Sequence, residues 1–418
     1  MTILRDAWEA LQDRLFFLPP FPDQLDALAL FALLLIAGLV VGELLQRRLG
    51  LSRLVGYVLA GAVCGPEGLG WLDAEGVAMA RPVADVALGL LMMETGRNLD
   101  WRWLRLNPGL LRSAGAEAGL AFAGLFAFAW LAVDLSPAWS AATAAIAMAS
   151  APAVVLLITE ECRAEGQVAQ RTQVLTAINC TASFVVFAIV LGVIHAEQSG
   201  DWLNSLAHPC WVVGGGGIIA WLCARLALAV AARQSGGALA QVFVLVAAAL
   251  LAIGLARMVA VPVFLCLFMM GLALGSLDRG RVLTYASLPQ GHGLLAVVLF
   301  VVTGAMLPLT DMTPLAVAQV LGLLLVRGLA KFGGVTLVGQ ADLPMAKRRL
   351  VGLGIQPLSA TAIFMAAELT TIYPEVSGQA LVLPLLAAAV MEFIGPQLCR
   401  AALVRAGETA PAAGRRTE

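Results

Sequence analysis

The sequence predicts an all-α polytopic membrane protein with about thirteen transmembrane helices, and three features of it lead there. Apolar residues make up 60% of the 418 residues and charged residues only 13%, and the mean hydropathy of +0.89 is far above that of an ordinary globular domain. Apolar runs long enough to cross a bilayer recur from Ala27 almost to the C-terminus. The basic residues between these runs alternate in density from one loop to the next.

The transmembrane spans are runs of about 17 to 25 largely apolar residues bounded by charge, Pro or Gly. The expected spans are 27–46, 52–66, 82–98, 110–133, 138–160, 172–195, 209–231, 239–256, 260–276, 290–308, 314–337, 347–371 and 378–402. We expect three regions: an N-terminal extracytoplasmic segment (1–26), a transmembrane domain (27–403) and a cytoplasmic tail (404–418). The tail is rich in Ala, Gly, Thr and charge, so we expect it to be disordered.

The distribution of Lys and Arg tests the number of spans. With the N-terminus outside, the cytoplasmic side receives twenty of the 26 basic residues and the outer side only four. A missed or added span would invert every later loop and remove this asymmetry. We therefore expect an odd number of spans, an outer N-terminus and a cytoplasmic C-terminus, in a bacterial-type inner membrane.

Two spans are interrupted at corresponding places. The fifth contains Pro152 in the middle of its apolar run, and the twelfth contains Gly354 and Pro357. Proline removes a backbone donor and clashes with the preceding turn, so both helices should be broken there. The two spans are seven apart, which gives them opposite orientations in the membrane. Such a pair is typical of inverted repeats whose broken helices cross at a binding site, although prolines are also common in ordinary membrane helices.

A polar stripe runs along the sixth span. Its members are four residues at spacings i, i+3, i+4 and i+7, namely Thr176, Asn179, Cys180 and Ser183. This spacing puts them on one face of a helix that is otherwise apolar. Lipid cannot satisfy their polar groups, so they must meet another helix or line a wet path.

Four ionisable residues lie deep in apolar spans. Arg327 and Lys331 share one face of the eleventh span, and Lys331 is at about the depth of Asn179. Snorkelling toward the headgroups would explain Lys331 but not Arg327, whose surroundings are apolar for more than two turns. Glu117 and Glu392 are the deepest carboxylates, and we expect them to serve as further proton or cation groups.

Composition excludes several classes of function. A net charge of −1 does not favour nucleic-acid binding. The seven cysteines are scattered without CxxC spacing or nearby His, so we expect neither a metal site nor a cofactor. The pattern contains no nucleophile and base pair, and we do not expect an enzyme.

Four stretches carry a resemblance to a known family. LVGYVLAGAVCGPEGLG, LGLLMMETGRNLDWRWLR, RGLAKFGG and MEFIGPQL, in the second, third, eleventh and thirteenth spans, resemble the monovalent cation:proton antiporter superfamily of the Kef and sodium/hydrogen exchanger type. The resemblance implies a thirteen-helix homodimer in the lipid bilayer, with a dimerisation domain and a core of helices at about 82–195 and 290–402. It also implies that a monovalent cation and a proton are exchanged by an elevator-like shift of the core.

The resemblance also assigns residues to the crossing of the broken helices. The crossing elements fall on Ser150, Ala151, Pro152, Pro357, Ser359 and Thr361. The family's basic core residue falls on Lys331, with Arg327 as the second choice. The family carries an Asp that binds cation and proton at the position of Cys180. A thiol with an ordinary pKa of about 8.5 is mostly neutral at pH 7 and is a poor ligand for Na⁺ or K⁺.

Three hypotheses follow from the presence of Cys180 where the family carries an Asp. In the first, the protein is a cation:proton antiporter in which Thr176, Asn179, Ser183 and freed carbonyls bind the cation and Lys331 carries the proton. In the second, it carries a non-metal substrate, such as an anion held by Lys331 and a half-helix N-terminus. In the third, it is a transport-inactive homologue with a regulatory role.

Overall fold

The computed structural model describes residues 26–99, 104, 107–200, 202–234, 237–278, 283, 289–308, 313–338, 343–358, 360–372 and 379–409. Over these ranges the chain forms fifteen α-helices and no strand. The helices are α1 (Ala27–Leu49), α2 (Arg53–Cys64), α3 (Ala74–Arg97), α4 (Pro108–Leu131), α5 (Pro137–Ala147), α6 (Pro152–Glu161), α7 (Gln167–Ser199), α8 (Trp202–Ala231), α9 (Ala238–Met258), α10 (Val263–Leu277), α11 (Pro289–Ala305), α12 (Pro314–Leu337), α13 (Met345–Gly354), α14 (Ala360–Ile372) and α15 (Gln379–Arg405).

The predicted spans coincide with these helices. Eleven of the thirteen correspond to one helix each, and the two interrupted spans correspond to the pairs α5–α6 and α13–α14. Within the described ranges, nine helical stretches are long and apolar enough to cross a membrane, and three shorter apolar helices match the second, ninth and tenth spans. The prediction of a helical, multi-pass membrane protein with two broken helices is confirmed.

Several helix boundaries follow from local chemistry. The side chains of Asp26, Ser52 and Asp73 each accept a hydrogen bond from a backbone amide in the first turn of α1, α2 and α3, respectively. Pro152 opens α6, where the missing N–H of proline would be unpaired in any case. Gly50 ends α1 with a φ of 66°, a conformation that glycine adopts without strain.

The helices pack in two groups. The core group consists of α4–α7 and α12–α15, in which α4 packs on α12 and the two broken helices pack on α7 and α15. The scaffold group consists of α1–α3 and α8–α11, in which α3 packs on α10 and α2 packs on α11. Contacts of α7 with α8 and of α11 with α14 join the groups. The broken helices therefore lie inside one group and face the other.

The core group is smaller than the ranges 82–195 and 290–402 that we expected. α3 and α11 pack chiefly on α10, α2 and each other, and only secondarily on α6, α7 and α14. Glycines explain this preference, because Gly61 of α2 lies against the carbonyl of Val301 and Gly96 of α3 lies against the carbonyl of Phe268. A side chain at either position would separate the backbones.

The beginning of the expected disordered tail is ordered. Residues 404–409 belong to the described part of the chain, and α15 continues to Arg405. The Glu408 carboxylate accepts hydrogen bonds from the backbone amides of Val168 and Ala169 at 2.9 Å. It thus caps the first turn of α7, where a negative charge is favourable. The rest of the tail, 410–418, lies outside the described residues.

Candidate functional site

The two broken helices cross at their interruptions. α5 ends at Ala147 and α6 begins at Pro152, while α13 ends at Gly354 and α14 begins at Ala360. The amide of Ala151 donates a hydrogen bond of 3.0 Å to the carbonyl of Pro357, so the two interruptions bond directly to each other. We call the segments 148–151 and 355–358 the crossing. Extended backbone at this depth is tolerated because the crossing segments and the side chains of α12 satisfy its polar groups.

Arg327 of α12 satisfies the carbonyls that the breaks set free. Its guanidinium is 1% exposed and donates to the carbonyl oxygens of Ala147 at 2.8 Å, Ala149 at 2.7 Å and Gln356 at 2.6 Å. These oxygens lie at the C-terminal ends of the half-helices α5 and α13, where the helix dipole is negative. Arg327 therefore joins both breaks and neutralises both dipole ends.

Gln356 completes this arrangement, and sequence reasoning missed it. Its amide Nε2 donates to the carbonyls of Gly352 at 2.9 Å and Gly328 at 3.3 Å, so it ties the second break to α12. The signal was its position between Gly354 and Pro357, because a side-chain amide inside a helix break can replace lost backbone bonds.

Lys331 lies one turn further along α12 and is fully buried. Its ammonium forms an ion pair with the carboxylate of Glu117 on α4 and donates to Ser150 Oγ at 2.8 Å. Ser150 in turn donates to the carbonyl of Ile355 at 3.0 Å. Glu117 and Lys331 are both 0% exposed, so neither charge is solvated by snorkelling.

Asn179 of α7 joins the same cluster. Its amide nitrogen Nδ2 donates to both carboxylate oxygens of Glu117, at 3.1 and 2.9 Å. Cys180 beside it is 2% exposed and lies within electrostatic range of Lys331. We call Glu117, Asn179, Lys331 and Ser150 the Glu117 cluster. The structure thus joins the polar stripe to α12 through a carboxylate of α4.

A glycine allows α4 and α12 to meet at the cluster. Gly334 follows Lys331 by about one turn, and a Cβ placed there would lie 2.5 Å from the Cα of Glu117. The two helices therefore touch backbone to backbone at Glu117. Sequence reasoning also missed this role, although the Gly-Gly pair after Lys331 was a visible signal of close helix packing.

The other two residues of the polar stripe have different partners. Ser183 Oγ donates to the carbonyl of Ala145 on α5 at 2.7 Å, and Thr176 Oγ1 donates to the carbonyl of Thr172 in its own helix at 2.6 Å. Ser183 thus attaches α7 to the first broken helix, and Thr176 is bonded locally. Neither hydroxyl hydrogen-bonds to the Glu117 cluster in the structure.

The remaining predicted site residues lie around the crossing. Thr361 is 2% exposed in the first turn of α14, and its hydroxyl has no hydrogen-bond partner among the described residues. Glu392 is fully buried on α15, one turn before Gly395, which lies against Pro357. Ser359 lies outside the described residues. In the part of the chain that the structure describes, no group of three or more His, Cys, Asp or Glu could hold a metal ion.

Cavities lie between the core and scaffold groups at two levels of α7, one at its middle and one near its start. A cavity of about 170 Å³ beside Phe184, at the middle of α7, is lined by Arg81, Asp85, Arg257 and Phe364, among others. A cavity of about 40 Å³ near the start of α7 is lined by Thr95, Asn98, Pro152, Gln170 and Gln173, among others. The Glu117 cluster lies along α7 between them, and Asn179 lines neither cavity.

Solved structures share this fold. The sodium proton antiporter MjNhaP1 from Methanocaldococcus jannaschii at pH 8 matches with a TM-score of 0.67 and 18% sequence identity, over 90% of this chain and 95% of that chain. An electron-microscopy map of MjNhaP1 matches with a TM-score of 0.69 and 16% identity, over 92% and 99% of the two chains. No curated protein sequence matches the chain significantly. At this identity the likeness establishes the fold alone.

A family model matches most of the sequence. Residues 31–395 match the transmembrane region of the sodium/hydrogen exchangers, and the match contains both broken helices, Arg327, Lys331 and the whole Glu117 cluster. This region is well over half of the 418 residues. The chain belongs to the sodium/hydrogen exchanger family.

Proposed function

We propose that the protein is a secondary-active transporter that exchanges a monovalent cation, Na⁺ or K⁺, for a proton by alternating access. The observation that carries the proposal is the fully buried pair of Glu117 and Lys331 beside the crossing of two broken helices. Buried charges inside a membrane are costly and by default serve a function. A carboxylate that can pair with an ammonium or with a cation is the minimum chemistry that such an exchange requires.

The Glu117 cluster offers the ligands that a hard monovalent cation prefers. Glu117 supplies a carboxylate, Asn179 a side-chain carbonyl and Ser150 a hydroxyl, and all three residues are at most 1% exposed. Oxygen atoms of this kind suit alkali cations better than the thiol of Cys180. The site is thus assembled from oxygen atoms that converge from α4, α7 and the crossing.

The positions of the cavities support alternating access. Both lie between the core and scaffold groups, with Phe184 at one and Gln173 at the other, and the cluster lies between these levels along α7. A shift of the core group along the scaffold would widen one cavity while it closes the other. The proposed motion is the rigid-body type that inverted-repeat transporters use.

The ion pair argues against the anion carrier. Lys331 is already neutralised by Glu117, and Arg327 is saturated by backbone carbonyls of Ala147, Ala149 and Gln356. An anion would therefore meet a carboxylate rather than a free ammonium. A transport-inactive homologue would not need a buried charge pair, because an apolar pair of similar volume is often as stable or more stable.

We further propose a homodimer with an outer N-terminus and a cytoplasmic C-terminus. The charge asymmetry of the loops and the family support this arrangement. In that orientation the Phe184 cavity opens outward and the Gln173 cavity inward. Cross-linking of the purified protein in lipid nanodiscs should give a species of twice the 43.6 kDa chain mass; a monomer alone would contradict the dimer.

Flux in proteoliposomes tests the proposed exchange. Vesicles that contain the purified protein and a pH-sensitive dye are given an outward proton gradient and then NaCl, KCl or choline chloride. We expect internal alkalinisation with NaCl or KCl beyond that of protein-free vesicles, and none with choline chloride. Equal traces for all three salts would overturn the proposed function.

A further inference from the structure

We infer that Glu117 performs the task that the resembled family assigns to an Asp at the position of Cys180, and that the exchange is therefore one cation for one proton without net charge movement. The inference rests on the proposed function and deepens it, since it names the carboxylate and the stoichiometry. Its first support is position: Glu117 is bonded to Asn179, the immediate neighbour of Cys180, so its carboxylate enters the same cluster from α4 instead of α7.

The second support is that one oxygen of the cluster is ready for a further ligand. Asn179 donates through Nδ2 to Glu117, which fixes the orientation of the amide because a carboxylate accepts from N–H but repels a carbonyl. The carbonyl oxygen Oδ1 is buried and has no hydrogen-bond partner among the described residues. A buried carbonyl without a partner is unfavourable, and a cation coordinated by Oδ1 and Glu117 would satisfy it.

The charges around Glu117 determine the proton balance. α12 contributes Lys331 and Arg327, α7 contributes the thiol of Cys180 and the amide of Asn179, and the crossing contributes neutral groups only. Arg327 keeps its proton throughout, because its guanidinium is occupied by three carbonyls and stays charged at any physiological pH. Two groups are thus left to take part in the exchange. Lys331 binds and releases the proton, and Glu117 pairs with either the Lys331 ammonium or the cation.

The exchange then proceeds with balanced charge. In one state, the Glu117 carboxylate pairs with the Lys331 ammonium, and the two charges sum to zero. In the other state, the carboxylate coordinates a cation, the Lys331 ammonium has released one proton to water in the open cavity, and the charges again sum to zero. The core group therefore carries the same net charge whether it shifts with the proton bound or with the cation bound. One cation therefore moves against one proton, and no current accompanies the exchange.

A set of variants tests the assignment of Glu117. Glu117→Gln keeps the size of the side chain but removes its charge, and we expect exchange to fall to the level of protein-free vesicles. Glu94→Gln is the matched control, because Glu94 is also buried, at 4% exposure, and pairs with a basic residue, Arg97, at 2.9 Å, but lies in the scaffold group. We expect Glu94→Gln to exchange at the wild-type rate.

A double variant distinguishes loss of the carboxylate from failure to fold. Glu117→Gln combined with Cys180→Asp returns one carboxylate to the cluster from α7, and we expect it to regain part of the lost exchange. Cation binding is followed independently of flux as the rise in Tm with NaCl or KCl over choline chloride, which Glu117→Gln should abolish. Monodispersity by size exclusion shows that each variant is folded.

The outcomes separate the inference from the proposed function. If the wild type exchanges cations and Glu117→Gln does so equally fast, Glu117 is not the carboxylate and the inference fails while the proposed function stands. If the wild type exchanges no cation, both fail. Currents after a NaCl or KCl jump on a solid-supported membrane test the stoichiometry. We expect proton flux without current, and a transport current that grows with the cation concentration would overturn the one-for-one exchange.

Discussion

The carboxylate of Glu117 on α4 contacts the ammonium of Lys331 on α12, 214 residues away in the chain, and both side chains are fully buried. The contact has an electrostatic consequence. Each ion alone would suffer several kcal/mol of desolvation, and their attraction repays that penalty only while both are present. The stability of the core group therefore depends on whether both charges of the pair are present.

Removal of one partner should damage both transport and stability. In Lys331→Gln, we expect exchange to fall to background and the free energy of unfolding to fall by about 3 to 5 kcal/mol, because Glu117 is left as an uncompensated buried charge. Insertion into the membrane should be normal. Flux assays and the Tm of the purified protein measure the two effects.

The double variant Glu117→Gln with Lys331→Gln separates the two effects. It removes both charges, so its Tm should be higher than that of Lys331→Gln while its flux stays at background. If Lys331→Gln exchanged at the wild-type rate, Lys331 would have no part in the mechanism and Glu392 would become the leading proton group.

Arg327 should behave differently from Lys331, because its partners are carbonyls rather than a carboxylate. Arg327→Lys keeps the charge but loses the planar fork that bonds Ala147, Ala149 and Gln356 together. We expect a loss of about 3 kcal/mol of stability or more, from bonds worth about 1.5 to 3 kcal/mol each. Arg47→Lys is the control, since the Arg47 side chain is 78% exposed. Equal Tm values for the two variants would show that Arg327 does not hold the crossing together.

Close contact at Gly334 should be required for the cluster. Gly334→Ala adds a methyl group 2.5 Å from the Cα of Glu117, so α12 must move away and carry Lys331 with it. Gly333→Ala is a matched control in the adjacent position, where an added Cβ has nothing within 4 Å. We expect Gly334→Ala to lose exchange and Tm, and Gly333→Ala to lose neither. Identical behaviour of the two variants would contradict the backbone contact.

The sequence was sufficient for the fold because its signals are local. Span length and loop charge predicted thirteen spans, and Pro152 and Pro357 predicted the two breaks. The site was only partly predictable, because pairing across the core depends on how helices rotate about their axes. Counting residues gave the same depth to Lys331 and Asn179, but not the rotation that puts Glu117 between them. Glu117 lies about as far from the end of its own span as Lys331 and Asn179 do from theirs. Its depth therefore made it a candidate but did not predict which residues it contacts.

The topology prediction remains to be tested. Twenty basic residues on one side against four on the other predict an outer N-terminus and a cytoplasmic C-terminus. Reporter fusions after Arg405 and after Asp201 should be active on opposite sides, with phosphatase reporting the outer side and a fluorescent protein the cytoplasmic side. If both fusions report the same side, the thirteen-span arrangement is wrong.

A carboxylate at position 180 should change the stoichiometry. Cys180→Asp, with Glu117 retained, places a second carboxylate beside Asn179 and within electrostatic range of Lys331. In the proton-loaded state, the introduced carboxyl group is protonated and Glu117 pairs with Lys331. The charges of these three side chains then sum to zero. In the cation-loaded state, both carboxylates share one cation while Lys331 is neutral, so the sum is one negative charge. Two protons would then leave for each cation.

The expected result of Cys180→Asp is therefore stronger cation-dependent proton flux together with a transport current that the wild type lacks. The measurement is a pH-sensitive dye in everted vesicles challenged with NaCl and KCl, in parallel with currents on a solid-supported membrane. Cys180→Ser adds no charge, so any exchange that it supports should be free of current. If the wild type exchanges cations and neither substitution changes its rate or its current, the face of α7 that carries Asn179 is not part of the ion site. In that case Glu117 would bind the cation without Asn179 as a second ligand, and the cation would have to lie on the α12 side of the carboxylate.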